Sequence, residues 1–322
     1  MNSSLAMLTT LPATLHIQTP LLQHRKLSAQ LRKAVWLKME NTQPSGSFKL
    51  RGIGLMCQRA VANGATHLVC PSGGNAGFAA AVAGAALAVR TTIVVPHSTP
   101  ENVREAIRAI GAGLIIEGTQ WDEANQLALK LCQDPNAVYI PPFDHPDIWD
   151  GNATLIDEVV QAGHDFDAVI CSVGGGGLLS GIVQGLQRNG LANIPVIAVE
   201  TEGAASLHAA VQADELVTLP AITSIASTLG ARRVAQQAFD HTQTHQIHAV
   251  TVSDAQAIQA CLSFADDMRT LVEPACGAAL AVAYQELAIL AQYQRPLIVV
   301  CGGMGVDLAN LIKLQSSLQP SL

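Results

Sequence analysis

The chain reads as an α/β protein built on parallel sheets with helices on both faces. Short apolar runs rich in β-branched residues recur along it, a glycine-rich turn follows many of them, and alanine-rich helical stretches come next. Apolar strands that do not alternate with polar residues imply burial on both faces, as a parallel sheet between helical layers provides.

The elements follow in order. Residues 67–70 predict a buried strand, 72–75 a turn and 77–87 a helix. Strand 91–95, helix 100–110, strand 114–116, helix 121–132 and strand 138–140 come next. The pattern resumes with strand 168–173, four glycines and a helix from Leu178, then strand 196–199 and strand 297–300. In such sheets ligands bind beyond the carboxyl ends of the strands. The loops after Cys70, Val173 and Val300 are rich in Gly, Ser, Asn and Cys, so chemistry is expected there.

With 322 residues the chain can bury one large core or two ordinary ones. Charged residues are only 13%, and the net charge of −7 is spread along the chain. That excludes a basic nucleic-acid or membrane-surface patch. The uncharged stretch 68–89 is broken by Pro71 and several glycines, unlike a spanning helix of about 20 apolar residues. No signal-peptide pattern opens the chain. Seven cysteines, odd in number and never spaced Cys-x-x-Cys, fit a reducing, cytoplasmic compartment.

Four features carry chemistry. Lys49 lies in Ser47-Phe48-Lys49-Leu50-Arg51-Gly52, where small residues and one aromatic deliver an amine at a helix start. Such a setting desolvates an ammonium and lowers its pKa, as a Schiff-base lysine requires. Gly174-Gly175-Gly176-Gly177 can turn consecutive N–H groups toward one anion at a helix N-terminus. No frame there satisfies Gly-x-Gly-x-x-Gly, so a single phosphate suits it better than a dinucleotide. Ser72-Gly73-Gly74-Asn75-Ala76-Gly77 offers donors to a substrate carboxylate, and Cys301-Gly302-Gly303 presents a neutral thiol to a ring nitrogen. Together they describe a monophosphate cofactor with a carbonyl for lysine, a ring and an amino-acid substrate. His241, His245 and His248 lack a zinc-protease spacing, and adjacent Asp266 and Asp267 point in different directions on a helix.

On these motifs the sequence resembles the serine/threonine dehydratases of the fold-type II pyridoxal-phosphate family, above all the short serine dehydratases. The likeness runs from Thr19-Pro20-Leu21 to about Leu311 and includes Glu273-Pro274-Ala275-Cys276-Gly277-Ala278. It implies a tryptophan-synthase-β-like fold of two domains, a small one at 43–146 inserted into a large one made of 1–42 and 147–322. Lys49 would hold pyridoxal 5'-phosphate and remove the substrate α-proton, with Phe48 and Thr228 on opposite faces of the ring and Asn75 on its hydroxyl. Gly174, Gly175, Gly176, Gly177 and Leu178 would bind the phosphate, which would help protonate the departing hydroxyl. Ser72, Gly73, Gly74 and Asn75 would take the substrate. Glu200, with carbonyls of Gly174, Ala204, Leu229 and Ala231, resembles the family's monovalent-cation site, K+ being the expected ion.

Cys301 bears on reaction choice. Many pyridoxal enzymes set an Asp against the pyridine nitrogen, and a neutral thiol leaves that nitrogen largely unprotonated. Prompt loss of a β-hydroxyl is then favoured over transamination. Racemases of the group carry a serine where this chain has Gly73, so weak racemisation is expected. Met304-Gly305 also departs from the family's polar residue and Asn. The resemblance further implies a homodimer and, given the chain length, no regulatory domain. The expected reaction is dehydration of L-serine, L-threonine or both, since one methylene shifts specificity by only about 1–3 kcal/mol. A β-replacing synthase of the same fold and a non-catalytic amino-acid- or cofactor-binding protein are the alternatives.

Overall fold

Strand pairing divides the chain between two sheets. The computed structural model describes residues 14–318. The strands are β1 Leu21–Gln23, β2 Trp36–Lys38, β3 His67–Cys70, β4 Arg90–Val95, β5 Gly113–Ile116, β6 Ala137–Tyr139, β7 Ala168–Ser172, β8 Val196–Thr201, β9 Ile247–Val252 and β10 Pro296–Val299. One sheet runs β1-β2-β10-β7-β8-β9 and the other β5-β4-β3-β6. All pairings are parallel except β1 with β2. The predicted parallel α/β class is the observed one.

Burial explains the strand sequences. Every residue of β3, β7, β8 and β10 is buried, so none alternates polar with apolar. The antiparallel edge strand β1 is partly exposed and three residues long, too short to print a period in the sequence. Strand β9 begins at Ile247, which places His248 inside it. Helix Asn75–Ala86 begins two residues before the expected 77, because Gly74 in extended conformation caps it. That helix and Pro274–Tyr284 are alanine-rich and buried over most of their surface.

Three helices meet at Asn152: Lys49–Ala62, Pro146–Gln161 and Gly177–Arg188. A Cβ on Gly52 would lie 2.4 Å from the Ile148 carbonyl oxygen, and one on Gly151 2.4 Å from that of Arg51. Glycine is therefore required where the first two helices cross. Buried Asn152 joins all three, since its Oδ1 accepts the Gly52 N–H at 3.1 Å and its Nδ2 donates to the Gly177 carbonyl at 2.9 Å. Beside them Arg51, wholly buried, donates to both oxygens of Glu40 and both of Glu158. Lys38 reaches Glu158 from the opposite side.

Candidate active site

Lys49 opens helix Lys49–Ala62, so its side chain leaves from the first turn and lies near Cys70 at the end of β3 and Cys301 beyond β10. The preceding loop is fastened to the end of β10. Asn41 N–H donates to Val300 O at 3.0 Å, Phe48 N–H to Cys301 O at 3.1 Å, and Gly303 N–H to Gly46 O at 2.9 Å. Two motifs about 250 residues apart thus become one structure. Lys49 Nζ donates to the Pro142 carbonyl at 2.6 Å and lies 5.2 Å from the centre of the Phe48 ring. Burial lowers its pKa to about 8, against the opposing influence of Cys70, Cys301 and Glu273.

Asn75 sits at the first position of its helix, beyond the end of β3. Its Nδ2 donates to Glu273 Oε1 at 2.7 Å, and its Oδ1 accepts the Met304 N–H at 3.0 Å. Thr228 Oγ1 donates to the same Glu273 oxygen at 2.7 Å. Burial raises the Glu273 carboxyl to about 7, although both hydrogen bonds and Lys49 pull it down. Gly303, at φ +136°, leaves room for this carboxyl, since a Cβ there would lie 2.0 Å from Glu273 Cδ. In the same loop Ser72 Oγ accepts the Gly74 N–H at 3.3 Å. A Cβ on Gly77 would meet the Ser72 carbonyl at 1.8 Å, and one on Gly73 would meet Thr99 at 2.8 Å.

The tetraglycine lies where β7 passes into helix Gly177–Arg188, with Gly176 left-handed at φ +90°. No acidic side chain occupies the first turn, and a helix start carries unpaired N–H groups and partial positive charge. Phe143 explains two of the glycines: a Cβ on Gly175 would enter its ring at 2.3 Å, and one on Gly177 would meet its carbonyl oxygen at 2.6 Å. Gly174 lies against Thr228 and Leu229, so the Thr228 segment borders the glycine loop. Leu178 is buried behind it.

Cys301, just beyond β10, is buried. Its hydrogen bond with Cys276 and its burial push the thiol well above the usual range, so it is neutral. Glu200, at the end of β8, is wholly buried. Its carboxylate accepts the N–H groups of Leu207 at 2.8 Å and His208 at 2.7 Å, capping helix Ser206–Ala213, and burial still raises its pKa to about 7. Ala204 is buried just ahead of that helix, and Ala231 donates its N–H to the Leu229 carbonyl at 2.7 Å.

The structure therefore gathers Asn75, Thr228, Lys49 and Cys301 about Glu273, with Phe48 against Lys49 and the glycine loop bordering Thr228. In the sequence Glu273 stands only within the family-like stretch Glu273-Pro274-Ala275-Cys276-Gly277-Ala278, and nothing local marks its role. Its partner Asn75 is 198 residues away, so no local pattern reveals the contact. The histidines stay apart from this chemistry. His245 Nε2 pairs with the Ile194 carbonyl and His241 with Gln237, and among the described residues no group of three or more His, Cys, Asp or Glu could hold a metal ion. No helix among those residues is long and apolar enough to cross a membrane.

Residues 13–302 match the family model described as pyridoxal-phosphate dependent enzyme. The human protein named L-serine dehydratase/L-threonine deaminase is 46% identical over 314 residues, covering 94% of this chain and 96% of its own. The L-serine dehydratase of Dictyostelium discoideum is 42% identical over 324 residues, covering 94% and 93%. Among solved structures, a fungal L-serine ammonia-lyase from Rhizomucor miehei superposes with a TM-score of 0.90 at 39% identity, covering 95% of this chain and all of that one.

Proposed function

The chain belongs to the pyridoxal-phosphate-dependent enzyme family, and we propose that it is an L-serine/L-threonine dehydratase. It removes water across Cα and Cβ, then releases ammonia and pyruvate from serine, or 2-oxobutanoate from threonine. The observation that carries this reading is the joining of the lysine loop to the Cys301 strand. An amine with a pKa near 8 thereby shares a cleft with a neutral thiol.

The residues present fit the cofactor on this structure's own features. A carbonyl-reactive amine lies beside Cys301 and Glu273, and a helix N-terminus without acidic neighbours is formed by glycines packed too closely on Phe143, Leu229 and Ala238 to admit a Cβ. Pyridoxal phosphate supplies a carbonyl for an amine and an electron sink for the bond broken at Cα. Lys49 would hold it and, with its amine free, would accept the α-proton at Nζ. Phe48 and Thr228 flank the ring. Gly174, Gly175, Gly176, Gly177 and Leu178 hold the phosphate with backbone N–H groups. Ser72, Gly73, Gly74 and the backbone N–H of Asn75 orient the substrate carboxylate, and the Asn75 side chain donates to the ring hydroxyl. Cys301, as a neutral thiol, neither charges the ring nitrogen nor keeps a proton on it, which favours elimination over transamination.

A monovalent cation, K+ for example, binds Glu200 and the carbonyls of Gly174, Ala204, Leu229 and Ala231. Supporting this, Glu200 is wholly buried with no cationic side chain against it among the described residues. The protein works in the cytoplasm as a homodimer; the seven unpaired cysteines support the first point. Exposed Leu308 and Ile312, one turn apart on helix Leu308–Leu318, support the second. Assay of ammonia and keto-acid release from L-serine and L-threonine tests the reaction, and sulfide-dependent product in place of keto acid would contradict it.

A further inference from the structure

Asn75 is held by two partners that work in one direction only. The Met304 N–H can only donate, and it occupies Asn75 Oδ1 at 3.0 Å. Glu273 Oε1 faces Asn75 as an acceptor, since it takes one of the two Nδ2 hydrogens at 2.7 Å and accepts the Thr228 hydroxyl as well. Rotating the amide by half a turn would set its oxygen against the carboxylate and its NH2 against an N–H, losing both bonds. One Nδ2–H is left for a ligand, so Asn75 meets that ligand as a donor.

We propose that Glu273 is a positioning residue for the dehydratase: with the Met304 N–H it locks the Asn75 amide as a donor toward the cofactor's ring hydroxyl oxygen, holding that oxygen as an anion. The inference rests on the reading of Asn75 as the partner of that hydroxyl. Three further features agree. The backbone at Gly303 leaves space that a Cβ would take from the Glu273 carboxyl. Thr228 donates to the same Oε1, so the acceptor is itself fixed. The Glu273 side chain is nearly wholly buried, which keeps water from replacing the amide.

Glu273→Gln tests it, because a carboxamide of the same shape can donate as well as accept and the lock loses its direction. Four holoenzymes are compared: wild type, Glu273→Gln, Asn75→Ala and the double variant. Each is titrated with pH in the visible absorbance band, and cofactor affinity is read from fluorescence. Glu273→Gln and Asn75→Ala are expected to shift the pH midpoint of the band in the same direction. Each should weaken cofactor binding roughly tenfold, the worth of about one hydrogen bond to a charged group. The double variant should add nothing to Asn75→Ala. An unchanged midpoint in Glu273→Gln, or shifts that add in the double variant, would overturn the proposal, since a residue that only stabilises the fold moves the melting temperature and not the band. If Glu273→Gln does not fold, Met304→Pro removes the other clamp in an exposed loop and is expected to shift the band the same way; no shift there would equally overturn it. A wild type that stays colourless with added pyridoxal phosphate would instead sink the functional reading, and this inference with it.

Discussion

Lys49 Nζ donates to the carbonyl oxygen of Pro142 at 2.6 Å. The same stretch continues into Phe143, which fills the space left by Gly175 and Gly177. Two successive residues therefore set the amine and the glycine loop relative to each other. The amine attacks a carbonyl only when neutral, and burial has brought its pKa to about 8. Incorporation of added pyridoxal phosphate into cofactor-stripped protein should accelerate as pH rises through about 8 and level off above it. A stopped-flow pH series checks this; a midpoint near an ordinary lysine's ~10.4 would contradict the buried amine.

Asn152 ties the helix of Lys49 to the helix of Gly177. Asn152→Ala strands a buried N–H and weakens the hold on the Gly177 carbonyl, at about 1–3 kcal/mol for an unsatisfied group. A lower melting temperature is expected, together with reduced affinity for cofactor. Asn152→Asp should restore the bond to Gly52 but not the one to Gly177. Differential scanning calorimetry and cofactor titration separate the two.

Gly177→Ala places a Cβ 2.6 Å from the Phe143 carbonyl. Overpacking of this kind costs about 1–3 kcal/mol. Because the strain falls on the loop assigned to phosphate, cofactor affinity should drop roughly tenfold or more. Fluorescence titration with pyridoxal phosphate reads it, with binding like the wild type's as the contrary result.

Arg51 holds Glu40 and Glu158 in the interior. Arg51→Met leaves the buried Glu40 carboxylate without its cationic partner and the partly buried Glu158 with Lys38 alone, a change that costs about 3–5 kcal/mol. The denaturant midpoint of the apoprotein should fall accordingly, and adding Glu40→Gln should recover part of the loss.

Much of this was legible in the chain. The buried strands announce themselves because both faces are covered, and each glycine-rich turn falls directly after one, so β3, β7 and β10 and the loops beyond them can be read off. Lys49 stands out through its neighbours. What could not be read depends on distance along the chain. Glu273 matters through Asn75 and Thr228, Asn152 through Gly52 and Gly177, and Arg51 looked like part of the lysine motif rather than the centre of an ionic cluster. Met304 looked like a departure from the family pattern, yet its backbone N–H, which any residue but proline supplies, is what holds Asn75. Edge strand β1 left no period because three residues are too few to show one.

The central claim is that Lys49 holds pyridoxal phosphate and drives the dehydration of serine. The most direct test is the absorbance spectrum of purified protein, followed by L-serine with coupled detection of pyruvate. The account predicts a visible band, stoichiometric pyruvate and ammonia, and loss of both band and product in Lys49→Ala. Protein that remains colourless with added cofactor, or a Lys49→Ala variant that keeps its band and turns over serine, would contradict it.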